Sequence, residues 1–114
     1  MDKTSHFDTE ALAMLEEIME DEFPELIQVF IADSDPRVPA MQSGLDERSS
    51  SILRDIAHSF KGASSNLSAL PLADLCFQVE EKARDNNLDG IQPLITAIDA
   101  EYQSVKSILM SLIK

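Results

Sequence analysis

The run IQPLITAIDAEYQSVKSILMSL, residues 91–112, repeats its apolar side chains at alternating steps of four and three: Ile91, Ile95, Ile98, Tyr102, Val105, Leu109 and Leu112. That spacing puts one apolar line along a helix and does not fit the period of two that a strand requires. Sustained over about three heptads, such a line is the seam of a helix packed in a bundle. The rest of the chain is therefore read for partner helices.

Upstream, Leu72, Leu75, Cys76, Val79 and Ala83 keep helical spacing between a break at Leu70-Pro71 and a turn at Asp85, Asn86 and Asn87. A further helix is predicted to about Ser68, capped by one of Ser49, Ser50 or Ser51, with Gly44 and residues 46–51 forming the turn before it. Phe23, Ile27, Phe30, Ser34, Val38, Met41 and Leu45 form the preceding stripe. Pro36 and Pro39 interrupt it, and two outcomes stay open: Asp35 caps a restarted helix with Pro36 as its first residue, or one long helix bends. A first, short helix begins at Asp8 or Thr9 and turns Leu12, Leu15 and Met19 to one side. Its acidic end, Glu16 to Glu22, reads as a solvated junction running into Pro24, which suits the first turn of the next helix. The expectation is an all-α fold: an antiparallel, up-down-up-down four-helix bundle with a short extra N-terminal helix. One domain spans residues 1–114, with residues 1–7, including His6, expected to be a mobile tail.

Composition limits the function. Nine Lys+Arg against 21 Asp+Glu leave a formal charge of −12 over 114 residues, so neither nucleic acid nor a membrane surface is an expected partner. Three glycines and 5% aromatic residues give too little turn punctuation for a β sandwich. A single cysteine and the lack of a signal-like or membrane-spanning apolar run point to the cytoplasm. Cys76 lies on an apolar stripe and reads as a small buried hydrophobe. With one Cys and two distant His, neither a metal site nor a cofactor is expected. Met14, Met19 and Met41 are read as core filler.

On a helical wheel of residues 51–68, Leu53, Ile56, Phe60, Ala63 and Leu67 gather opposite His58, whereas Arg54, Asp55, Lys61, Gly62 and Ser65 lie on its side. His58 should therefore face solvent. Lys61 supplies a cation one turn away, and Gly62 supplies clearance, at a cost of about 1 kcal/mol relative to alanine inside a helix. A neutral imidazole offers a nucleophilic nitrogen. No P-loop or kinase glycine loop accompanies it, so phosphorylation from ATP is not expected.

The stretch Ala57-His58-Ser59-Phe60-Lys61-Gly62-Ala63-Ser64-Ser65-Asn66-Leu67-Ser68-Ala69 resembles the signature of histidine-containing phosphotransfer (HPt) domains. Ser68 departs from it, standing where the family usually has glycine. The resemblance implies that His58 carries the phosphoryl group, that Lys61 neutralises it and that Gly62 admits the partner. It also implies that Glu80, on the next helix, orients the imidazole. The implied partners are receiver domains of response regulators and of hybrid sensor histidine kinases, and the chain is expected to be a monomeric phosphoryl carrier, not an enzyme. Arg54, Ser65, Phe77, Glu80, Lys82 and Arg84 are the candidate docking residues. Lys82 and Arg84 could equally pair with Glu80 and Glu81 on a solvated face, and Phe77 could close the bundle edge instead of anchoring a partner. The competing function is a helical adaptor that binds through the His58 face without chemistry.

Overall fold

The computed structural model describes residues 2–113, and all of its regular elements are helical. They are α1 (Thr9–Met19), α2 (Phe23–Ser34), α3 (Arg37–Asp46), α4 (Ser50–Asn66), α5 (Leu70–Arg84) and α6 (Ile91–Leu112), with short 3-10 turns at Lys3–Ser5 and Glu20–Glu22. α4 packs against α3 and α5, and α6 packs against the same two, so these four helices close around one core. At 22 residues and 1.5 Å per residue, α6 is about 33 Å long and runs most of the 42 Å length of the molecule. Its predicted seam is the core line, with Ile91, Ile98, Val105 and Leu109 wholly inaccessible and Leu112 packed at the margin.

Local chemistry accounts for the helix starts. Asp8 caps α1 by accepting from the Ala11 N–H at 3.2 Å, and Ser49 caps α4 by accepting from the Ile52 N–H at 3.3 Å. Pro24 and Pro71 lie in the first turns of α2 and α5, where a missing N–H costs no helical bond. The apolar stripe from Phe23 to Leu45 is carried by two helices, because the chain breaks at Asp35-Pro36. Pro36 stands at the cap position of α3, not as its first residue, and the Asp35 carboxylate does not cap. It accepts instead from the Tyr102 hydroxyl at 2.6 Å and from Lys106 at 3.0 Å, which ties the break to α6. These bonds, the Tyr102 hydroxyl foremost, hold the Asp35 carboxyl below its ordinary range.

Three expectations are corrected. Gly44 is helical, not part of a turn: a Cβ there would come within 3.0 Å of Ile52, so glycine lets α3 approach α4 closely. Met14 is 61% exposed and fills no core, although Met41 is fully buried and Met19 packs at its margin. The segment expected to be a mobile tail is packed at residues 6 and 7. Phe7 belongs to the core, the His6 ring is 2.7 Å from Glu101, and the Asp8 N–H bonds the Ser68 carbonyl. Met1 lies outside the described residues.

Candidate functional site

Burial of Leu53, Ala57 and Phe60 on α4 fixes the rotation of that helix, and the same rotation sends His58 outward with its side chain 70% exposed. From α5, Leu72, Cys76, Val79 and Ala83 pack inward, and Glu80, next in the chain to Val79, is carried beneath the histidine. Its side chain is 4% exposed. One oxygen stands 2.9 Å from His58 Nδ1, and the other accepts from Lys61 Nζ at 2.6 Å. Arg84, one turn further along α5, approaches at 3.4 Å.

The electrostatics follow from this placement. Burial pushes the Glu80 carboxyl up, but the hydrogen bonds from Lys61 and His58, together with their charges, outweigh it and hold the group below the ordinary carboxylate range. Glu80 is thus ionised at neutral pH and can only accept hydrogen bonds. The proton of a neutral His58 therefore resides on Nδ1, which donates to Glu80, and Nε2 keeps its lone pair. A shallow open depression at this point is lined by Arg54, Asp55, His58, Glu80 and Arg84, so guanidinium groups flank the ring.

Gly62 lies one turn beyond His58, and nothing stands within 4 Å of where its Cβ would be. No internal neighbour requires glycine here, so what its absent side chain provides is free space over the imidazole. Ser65 is exposed on the same side. Phe77 is 44% exposed, and Lys61 Nζ sits 5.3 Å from its ring centroid, so the phenyl ring packs along the lysine.

Two of the docking candidates need correction. Glu80 is buried and meets His58 from below, so it has no surface to offer a partner. Lys82 points toward the α5–α6 turn, where a Cβ on Gly90 would lie 3.6 Å from its Nζ, and so does not join the cluster around His58. Arg84 pairs with Glu81 as well as with Glu80. Arg37 had no signal in the sequence, being hidden between two prolines. Its guanidinium donates to Ser59, the neighbour of His58, at 3.0 Å and to Ser34 at 2.9 Å, and lies over the Phe60 ring at 5.4 Å, pinning the back of α4. Cys76 is buried, and burial pushes its thiol up to about 12, so it is no nucleophile.

A helical bundle that presents one imidazole, fixed at Nδ1 and bare at Nε2, defines a histidine phosphotransfer protein. The comparisons agree. The Hpt domain family model matches residues 25–108, and the chain belongs to that family. Histidine-containing phosphotransfer protein B of Pseudomonas aeruginosa PAO1, known from a crystal structure, superposes with a TM-score of 0.91 at 38% identity, over 95% of this chain and 94% of that one. The phosphorelay protein LuxU of Vibrio vulnificus, in strains YJ016 and CMCP6, is 22% identical over 98 residues, 85% of either length. The chain is a histidine phosphotransfer protein of a two-component phosphorelay, a class of phosphoryl carriers rather than kinases. No described helix is long and apolar enough to cross a membrane.

Proposed function

We propose that His58 is the phosphoryl-accepting residue and that it exchanges the group with aspartyl phosphates on receiver domains of response regulators and hybrid kinases. The observation that carries this reading is the Glu80 contact to Nδ1, which leaves Nε2 of a largely exposed ring facing outward. On approach of an aspartyl phosphate, the Nε2 lone pair forms the N–P bond as the acyl O–P bond breaks and its electron pair returns to the aspartate. The ring becomes a phosphorylated imidazolium that still donates from Nδ1, and Glu80 offsets its charge. Lys61, Arg54 and Arg84 face the incoming phosphoryl oxygens. No ATP-holding loop is needed, because donor and acceptor are both proteins.

The inferred topology supports such a presenter. Ser50 bonds Asn86 and His58 bonds Glu80, so α4 and α5 run in opposite directions. Gln42 meets Gln92 while Asp35 meets Tyr102, so α3 opposes α6 in the same sense. We infer an antiparallel up-down-up-down order for α3 to α6, with α1 and α2 preceding it in the chain. Arg54, Ser65, Phe77 and Arg84 remain the docking candidates on the His58 face.

The test is incubation with a panel of phosphorylated receiver domains, followed on phosphate-affinity gels. Wild-type protein is expected to take up phosphate, His58→Ala to take up none, and Gly62→Gln to keep its helical circular dichroism while losing transfer. Binding without phosphate uptake by the wild type would favour the adaptor reading.

A further inference from the structure

On α5, Phe77, Glu80 and Arg84 recur at steps of three and four and so lie along one side of the helix. The core line of α5 is elsewhere, through Leu72, Cys76, Val79 and Ala83, and the exposed Phe77 ring belongs neither to the core cluster nor to its margin. Its bulk therefore has to be explained by what it touches at the surface. Glu80, the middle residue, is shared between two cations: one oxygen accepts from Lys61 Nζ at 2.6 Å, and Arg84 approaches the other at 3.4 Å. The cations differ in their second neighbour. Arg84 also pairs with the Glu81 carboxylate, whereas Lys61 pairs among the described residues with Glu80 alone and has the Phe77 ring centroid 5.3 Å from its Nζ. A ring face attracts an ammonium through its quadrupole but carries no net charge to cancel it. Of the three N–H donors of Lys61, one is taken by Glu80, and the ring holds the group without claiming the others as a second carboxylate would.

We propose that Phe77 is a positioning residue for phosphoryl transfer: its ring holds the Lys61 ammonium beside Glu80 with donors to spare for the phosphoryl oxygens at His58. Without the ring, the flexible four-carbon stem of the lysine is free to turn its strongly hydrated head toward solvent, and the cation then has to be ordered again at each transfer. Phe77 thus acts through Lys61 on the rate of transfer, whatever the donor, and not on how firmly a partner is held. This inference rests on the phosphocarrier reading.

Phosphoramidate separates positioning from docking, because this small donor needs no docking surface: the His58 Nε2 lone pair forms the new N–P bond as the donor's own N–P bond breaks and ammonia leaves. Wild-type protein is expected to be labelled, and Phe77→Leu, which keeps apolar bulk but loses the ring, to be labelled about threefold more slowly. Phe77→Tyr restores the ring face and should recover most of that rate. In a Lys61→Met background, itself slow, Phe77→Leu should bring no further loss, since the ring then has no ammonium to hold. With a phosphorylated receiver as donor, Phe77→Leu should lower the maximal rate and leave the receiver concentration for half-maximal transfer where it was. Equal labelling of wild type and Phe77→Leu by phosphoramidate, or the same loss with and without Lys61, would overturn the positioning role while leaving the carrier intact. A rise in half-saturation with the maximal rate kept would overturn it too, making Phe77 a docking anchor. Wild-type protein unlabelled by either donor would overturn the carrier reading and the role of Phe77 with it.

Discussion

At the scale of single residues, the site depends on one buried carboxylate shared between a histidine and a lysine. The outward direction of His58 was legible in the sequence, because Leu53, Phe60 and Leu67 leave it only one side of the wheel. The depth of Glu80 was not: a charged side chain is buried only when another helix brings it cations, and those come from α4. A pH dependence follows. The Glu80 carboxyl titrates below its ordinary 4.5 in the folded protein, so the stability it contributes is full above that value and is lost as pH falls through the lowered one. Urea unfolding of Glu80→Gln between pH 3 and pH 7 should therefore show a shallower acid loss than wild type. Parallel curves would mean that Glu80 gains nothing from its partners. The Asp35 carboxyl shifts in the same direction and contributes to the acid loss common to both proteins.

At the scale of elements, helix starts were easier to read than helix stops. Asp8, Ser49, Pro24 and Pro71 announce their helices by chemistry that is local in sequence. The ends of α3, α4 and α5 rest instead on Arg48, Ser68 and Asn86, all with φ between 55° and 61°. Each allows two backward bonds, as where Ser68 and Ala69 donate to the Ser65 and Ser64 carbonyls. Glycine would have signalled these stops, but none of the three residues is glycine, so Gly44 was mistaken for the turn and α4 was read to about Ser68. Only asparagine among them tolerates this conformation well. The glycine usual to the family at position 68 is thereby explained, and Ser68→Gly should stabilise the protein by about 1 kcal/mol, read from the denaturation midpoint at constant m-value. A loss of stability would show that the Ser68 hydroxyl contributes more than its backbone costs.

At the scale of the whole molecule, the bundle is a rigid stand for one nitrogen atom, and its N-terminal segment is part of that stand. Composition and periodicity reached the helical class and the single core, but not the packing of Phe7, since one phenylalanine in a short polar stretch has no periodic neighbours to identify its side. Phe7→Ala should cost about 3 kcal/mol, the loss expected of a phenyl group removed from a closed core, and should lower the thermal midpoint accordingly. A change below about 0.5 kcal/mol, the size of a surface substitution, would detach residues 2–7 from the cooperative unit. The central claim is that the packing of α4 against α5, with Glu80 beneath His58, holds Nδ1 inward and Nε2 outward. Phosphorus-31 NMR with proton correlation, recorded on protein phosphorylated by a receiver domain, tests it most directly. The account predicts one phosphohistidine, at His58, with the phosphorus bonded to Nε2; phosphorus on Nδ1, or on any other residue, would contradict it.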